Sequence, residues 1–106
     1  MIRRLLVANR GEIAVRIARA AADGGIESVA VFAEDDAGAA HVRQAARAEA
    51  LAGAGAAAYL DSAGLIAAAR RSGCDAIHPG YGCLSENPAF ASACAAADPW
   101  YRCLAP

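Results

Sequence analysis

Short apolar runs alternate with segments of helical periodicity along this chain of 106 residues. The runs RLLVA, ESVAVFA and CDAIH are bounded by glycine or charged residues, which predicts buried strands. Between the first two runs, apolar residues recur at helical spacing from Gly11 to about Gly24, where Gly24 and Gly25 end the predicted helix. The face of this helix that we expect to be buried holds Ile13, Ile17, Ala20, Ala21 and Gly24.

The second half of the chain repeats this alternation less regularly. The stretch HVRQAARAEALAG predicts a short helix and then a weak strand near residues 48–51, and GAGAAA is a connector. Asp61 or Ser62 begins a further helix that runs through Arg71 and is closed by Gly73. Pro88 lies in the first turn of another predicted helix, up to about residue 97, and WYRCL predicts a last strand. Strands that alternate with helices in this way favour an α/β fold with a parallel sheet.

The composition fits one globular domain and removes several functional classes. With 58% hydrophobic residues, 20% charged residues and a net charge of −1, the chain shows no basic surface for nucleic acid or an anionic membrane. All ten basic residues are arginine. A P-loop, a Schiff-base enzyme and a biotin-attachment domain each need a lysine, so none of them is expected within this chain.

The cysteine spacing predicts reduced thiols, and the length of the apolar runs bears on the cellular location. Cys74, Cys83, Cys94 and Cys103 form no CxxC pair, and neither histidine lies at ligand spacing from them, so we expect structural thiols and no metal site. The apolar run after the N-terminal arginines is too short for a signal peptide, and ALAGAGAAAYL is too short for a membrane span. We therefore expect a cytoplasmic location.

Two polar turns follow strands at the same edge of the predicted sheet. NRGE comes after the first strand, and HPGYGCLSEN, residues 78–87, comes after the CDAIH strand. In parallel α/β sheets, ligands bind beyond the carboxyl ends of the strands, so the topology brings both turns to the edge where a ligand is expected. NRGE opens a helix as phosphate-binding loops do, but the carboxylate of Glu12 would repel phosphate. We interpret residues 9–12 as architectural.

The segments LLVANRGEIAVRIARAAADGGIESVAVFAEDDA, HV, YLD and DAIHPGYGCLSENPAFA together resemble the N-terminal domain of biotin carboxylase, over residues 1 to about 97. The resemblance implies a Rossmann-like parallel sheet flanked by helices, a pre-ATP-grasp domain over residues 1–106, with the ATP-grasp and C-terminal domains absent. Enzymes of this family phosphorylate bicarbonate with ATP and carboxylate biotin, for acyl-CoA or pyruvate carboxylases.

The resemblance also implies the ligands and partners. Biotin is the substrate, while ATP and Mg belong to the complete enzyme and are not expected to bind this chain alone. The implied partners are the remaining biotin carboxylase domains, the biotin carboxyl carrier domain and the carboxyltransferase.

The motif HPGYG carries the site residues that the resemblance implies. In the family its tyrosine and second glycine lie beside biotin, so Tyr81 and Gly82 are expected to contact this substrate, the phenol against a flat ring and the glycine by close backbone approach. Glu86 would orient an arginine of the ATP-grasp part, and His78 and Asn87 would support the loop. Alternatively, His78 and Asn87 only satisfy backbone groups of a tight turn and cap the next helix.

Arg16, Arg19 and Asp23 lie on one stripe of the first helix. In bacterial biotin carboxylases the residues matching these positions belong to a two-fold dimer contact, so the resemblance implies a homodimer interface. Alternatively, the stripe is a solvated face with the i,i+4 pairs Glu12–Arg16 and Arg19–Asp23.

The chain departs from the family pattern at three places. Arg47 stands where the family has an acid, and Cys83 stands where it has phenylalanine. The ending DPWYRCLAP also differs from that of the family.

Together these observations predict a biotin carboxylase N-terminal domain that supplies a scaffold and the biotin-side pocket wall, contributes no catalytic residue and is inactive alone. One alternative is a non-catalytic assembly or dimerisation module that associates with full-length carboxylase. Two others are an autonomous Rossmann-like nucleotide binder and a decayed gene fragment.

Overall fold

The computed structural model describes residues 2–79 and the backbone of residues 102–103. The strands in these residues are β1 (Arg4–Val7), β2 (Glu27–Phe32), β3 (Arg47–Ala50), β4 (Ala76–His78) and β5 (Arg102–Cys103). The α-helices are α1 (Gly11–Asp23), α2 (Ala40–Gln44) and α3 (Ser62–Ser72), and two 3-10 segments span Glu34–Asp36 and Ala56–Leu60. The predicted strands and helices within residues 2–79 are confirmed, each to within a few residues. The helix predicted after Pro88 lies outside the described residues.

The strands form one parallel sheet in the order β3-β2-β1-β4-β5. β1 lies between β2 and β4, and Leu6 is in register with Val29 on one side and with Ile77 on the other. The chain therefore builds one half of the sheet outward from β1, and then crosses back to add β4 on its other side. This arrangement confirms the predicted α/β fold with helices flanking a parallel sheet.

The two faces of the sheet are covered by different helices. Leu6, Val29 and Ile77 point to the face covered by α3, where Leu65 and Ala68 are fully buried. The neighbouring positions point to the opposite face because side chains alternate along a strand. There Leu5 and Ala76 pack with Ala21 of α1 and with the half-buried Ile2, Ile17 and Ile26.

The buried face of α1 differs from the one that the spacing of isoleucines predicts. The residues of α1 that are buried are Ala14, Val15, Ala18 and Ala21. Ile13 and Ile17 are only half-buried, and Ala20 is exposed. The helix contacts α2 as well as the sheet, so its buried arc is turned toward the small alanines, whose short side chains allow close approach. The predicted face was therefore right at Ala21, half-buried at Ile13 and Ile17, and wrong at Ala20 and Gly24, which are exposed.

Both ends of α3 follow local sequence signals. The carboxylate of Asp61 accepts a hydrogen bond from the backbone N–H of Gly64 at 3.1 Å, which caps the first turn. Gly73 ends the helix with φ of 71°, a left-handed conformation that favours glycine. No helix within residues 2–79 has the length and apolar character needed to cross a membrane.

Candidate functional site

The turns after β1 and β4 are joined directly at the carboxyl edge of the sheet. The N–H of Ala8 donates to the carbonyl oxygen of His78 at 2.9 Å, one residue beyond the ladder of the two strands. The side-chain amide of Asn9 continues this contact, because its Nδ2 donates to the carbonyl oxygen of Pro79 at 2.8 Å. Its Oδ1 accepts from the N–H of Arg10 at 2.8 Å. The prediction that both polar turns leave the sheet at one edge is confirmed for the part that the structure describes, residues 9–12 and 78–79.

His78 occupies the last position of β4, opposite Val7. Its ring is partly buried, and this burial lowers the pKa of the imidazole below its ordinary value of 6.5. Burial therefore favours the neutral form of this imidazole. Its supporting role in the loop stays a prediction, and Tyr81, Gly82, Glu86 and Asn87 lie outside the described residues.

A second polar cluster lies at the same edge, beyond the carboxyl end of β2, and is centred on Tyr59. The phenol is buried, with 3% of the residue exposed. Its oxygen accepts from the N–H of Ala33 at 3.1 Å and donates to Oδ2 of Asp36 at 2.7 Å. The guanidinium of Arg10 lies 5.4 Å from the ring centre, and its Nη1 is 3.6 Å from the same carboxylate oxygen. Burial and the Asp36 hydrogen bond raise the pKa of Tyr59 to about 12.

His41 completes this cluster from α2. Its Nε2 lies 2.9 Å from the carbonyl oxygen of Val31, and because a carbonyl only accepts, this nitrogen carries the proton. The ring meets Tyr59 edge-on, with the ring centres 6.3 Å apart. The contacts tie the turn after β1, the end of β2 and the second 3-10 segment together, which is an architectural role.

Sequence reasoning used the HV and YLD segments only as marks of the family resemblance. The signal that could have located His41 and Tyr59 is their position after β2 and before α3, where the chain returns to the carboxyl edge. Within residues 2–79, no group of three or more histidine, cysteine, aspartate or glutamate side chains is placed to hold a metal ion.

The opposite edge of the sheet explains how the chain accommodates Arg47. The carboxylate of Glu27 at the start of β2 lies 2.8 Å from Nε of Arg47 and 2.7 Å from Nε of Arg4. Arg4 also donates from Nη1 to the carbonyl oxygen of Ser72 at 2.7 Å. Arg47 therefore has an acidic partner in Glu27, which it shares with Arg4.

The stripe on α1 is open to solvent. Arg16, Arg19 and Asp23 are all exposed. Nε of Arg16 lies 3.3 Å from the carboxylate of Glu12, which confirms the first i,i+4 pair. Arg19 and Asp23 form no salt bridge within residues 2–79, since an arginine that precedes its acid along a helix is in the less favourable order.

Cys74 is buried and reduced, as expected of a structural thiol. Its sulfur lies 3.3 Å from the hydroxyl oxygen of Ser72, and burial raises the pKa of the thiol. The side chains of Cys83, Cys94 and Cys103 lie outside the described residues.

Comparison with known proteins identifies the family. The model of the biotin carboxylase N-terminal domain matches residues 1–101. The biotin-dependent acyl-coenzyme A carboxylase alpha3 subunit of Mycobacterium leprae is 58% identical over 93 residues, which are 87% of this chain and 16% of that protein. Biotin carboxylase 1 of Bacillus subtilis is 50% identical over 95 residues, 89% of this chain and 21% of that protein.

Solved structures agree in both fold and sequence. The biotin carboxylase domain of a single-chain bacterial carboxylase superposes with a TM-score of 0.86 at 59% identity, covering 90% of this chain and 22% of that one. The Kluyveromyces lactis urea amidolyase gives a TM-score of 0.89 at 44% identity, covering 94% of this chain and 6% of that one. In each comparison the chain spans only a minor part of its relative. By sequence and by fold, the chain belongs to the family of biotin carboxylase N-terminal domains.

Proposed function

We propose that this chain serves as the N-terminal domain of a biotin carboxylase, where it supplies the sheet scaffold and one wall of the biotin pocket. The observation that carries the proposal is the junction at the carboxyl edge, where Ala8 and Asn9 hold the carbonyl groups of His78 and Pro79. This junction holds the start of the HPGYG segment at the edge where parallel sheets bind ligands. A cytoplasmic location is part of the proposal.

The proposed chemistry of this wall is binding and orientation of biotin. Tyr81 would pack its phenol ring against the bicyclic ring of biotin, and Gly82 would let its backbone approach the ureido group. In the proposed complete enzyme, ATP and Mg would supply the activation of bicarbonate, and lysines of the ATP-grasp domain would hold the phosphates. The carboxyl carrier domain would deliver biotin to this wall, and the carboxyltransferase would receive the carboxylated product.

A hybrid enzyme tests the proposal. Residues 1–101 replace the matching segment of Bacillus subtilis biotin carboxylase 1, and cleavage of ATP that depends on bicarbonate and free biotin is measured. The hybrid should be active, and Tyr81→Ala should raise the KM for biotin roughly five- to tenfold, since an aromatic contact contributes about 1 kcal/mol. Tyr81→Phe keeps the ring and should restore most of the affinity. A biotin KM that is the same in all three proteins would contradict the pocket role.

The 106-residue chain by itself should not cleave ATP in a bicarbonate-dependent manner. It contains no lysine to clamp a triphosphate. Turnover above that of a heat-killed control would refute this part of the proposal.

A second candidate role, assembly with another carboxylase chain, is favoured by the exposed stripe on α1. The side chains of Arg16, Arg19 and Asp23 are accessible for such a contact. Sedimentation of the chain, alone and mixed with intact Bacillus subtilis biotin carboxylase 1, tests this role. Association that Arg16→Glu with Arg19→Glu abolishes would support it, and a strictly monomeric chain that ignores the enzyme would exclude it.

A further inference from the structure

We infer that Asn9 is a positioning residue that sets where the biotin-side loop leaves the sheet. This inference rests on the proposed function, because the loop in question is the one that carries Tyr81 and Gly82. The NRGE turn, interpreted above as architectural, would then influence biotin binding indirectly, by holding the backbone of the loop that follows β4.

The geometry uses both ends of the Asn9 side chain. Its Nδ2 donates to the carbonyl oxygen of Pro79 at 2.8 Å, and its Oδ1 accepts from the N–H of Arg10 at 2.8 Å. Only 6% of the residue is exposed, so water competes little for either bond. The amide thus links the start of α1 to the loop after β4 within a buried environment, where a satisfied polar bridge fixes one arrangement.

Pro79, which accepts the hydrogen bond from Asn9, has fewer backbone groups for hydrogen bonding than other residues. Pro79 has no N–H to donate, so its carbonyl oxygen is the polar backbone group through which the chain can be fixed there. The preceding carbonyl, of His78, is already held by the N–H of Ala8 at 2.9 Å. Two successive carbonyls bound by two successive residues determine both the position and the direction of the chain as it leaves β4.

Loss of the hydrogen bond between Asn9 and Pro79 should affect biotin binding more than the folding of the domain. A group that touches substrate loses effectiveness steeply when its support shifts by about 1 Å. Release of the Pro79 carbonyl should therefore move the wall away from biotin and raise the KM for biotin roughly tenfold. The KM for ATP should not change, because the nucleotide is bound by other domains in the proposed enzyme.

Asn9→Asp is the sharpest variant because the two side chains have nearly the same shape. A carboxylate can still accept from the N–H of Arg10, but it has no N–H to offer the carbonyl oxygen of Pro79 and repels it. Asn9→Ala removes the bond to the carbonyl of Pro79 together with the bond from Arg10, and serves as the second variant if Asn9→Asp fails to fold. Tyr59→Phe is the matched control, since it removes hydrogen bonds at the same edge from a residue with no hydrogen bond to Pro79.

The first experiment uses the full 106-residue chain and needs no substrate. Hydrogen exchange is followed by mass spectrometry in peptides covering residues 80–87, with peptides from α3 as the internal reference. Relative to α3, exchange in residues 80–87 should become roughly tenfold faster in Asn9→Asp, whereas Tyr59→Phe, which lowers the stability of the whole domain including α3, should not raise this ratio. An unchanged ratio, including complete exchange at the earliest time in wild type and variants alike, would overturn the inference.

The second experiment measures both KM values in the hybrid enzyme and separates the two proposals. A rise in the KM for biotin with Asn9→Asp, at constant KM for ATP, would support the positioning role. If Tyr81→Ala raises the biotin KM and Asn9→Asp does not, the inference about Asn9 is wrong while the proposed function stands. If neither variant changes it, the proposed biotin wall fails, whatever the exchange data show.

Discussion

Replacement of Tyr59 by phenylalanine should weaken the fold through a single oxygen atom. The ring stays, so its packing against His41 and Arg10 is preserved. What is lost is one acceptor for the N–H of Ala33 and one donor to the carboxylate of Asp36.

The size of the stability loss depends on whether water can replace the hydrogen bond that each partner of Tyr59 has lost. Ala33 is fully buried, so its N–H is left without water or protein, at a cost of about 1–3 kcal/mol. The Asp36 side chain is 25% exposed and keeps Arg10 at 3.6 Å, so water replaces much of the lost bond there. The free energy of unfolding should therefore fall by about 2–3 kcal/mol, mostly through Ala33.

Urea unfolding followed by circular dichroism measures this change. With a slope of about 2 kcal/mol per M, expected for a small domain, the midpoint should fall by roughly 1–1.5 M at an unchanged slope. Ser72→Ala is the control, because its hydroxyl donates to the carbonyl of Ala68 and its removal leaves no backbone N–H unpaired. A loss below about 0.5 kcal/mol for Tyr59→Phe, or one no larger than that of the control, would refute the reasoning.

Three further predictions concern the same domain. The pKa of Tyr59 is raised from 10.0 to about 12, so its protonated form stabilises the fold fully below pH 10 and this contribution is lost as the pH rises toward 12. The difference in free energy of unfolding between wild type and Tyr59→Phe should therefore shrink by roughly 1 kcal/mol between pH 8 and 11, allowing for partial solvent screening. A difference that stays constant in urea unfolding would contradict this. Asp61→Ala should cost about 1 kcal/mol by uncapping α3, whereas Asp61→Asn should cost little; equal melting curves for both variants would be the contrary result. Arg47→Glu should destabilise the chain by roughly 0.5–1 kcal/mol through repulsion of Glu27, more than Arg47→Gln and less in high salt, and salt-independent stability would count against the ion pair.

The strands and helix ends were predictable because their signals are local. A valine-rich run between glycines, an aspartate before a helix and a glycine after it act within a few residues, and Asp61 and Gly73 show both effects. The buried face of α1 was not predictable in the same way. It depends on contact with α2 as well as with the sheet, and the spacing of Ile13 and Ile17 carries no information about a second neighbour.

The site was predictable as a place but not as a set of contacts. Parallel topology alone brings the turns after β1 and β4 to one edge. It does not reveal that Asn9 bonds a carbonyl 70 residues away, or that Tyr59 reaches the end of β2. Those contacts depend on side-chain direction, which a period of two or 3.6 residues cannot specify.

The position of β1 in the middle of the sheet also affects how the domain folds during translation. β1 is synthesised before β4, and the backbone N–H groups of Arg3 and Arg4 donate to the carboxylate of Asp75, which follows them by 72 and 71 residues. Until β4 emerges, Leu6 has no neighbouring strand on one side, so an apolar edge of the sheet is exposed to solvent during translation. Pairings between such distant segments form slowly, so we expect the segment that precedes β4 to bind chaperones while it is being synthesised.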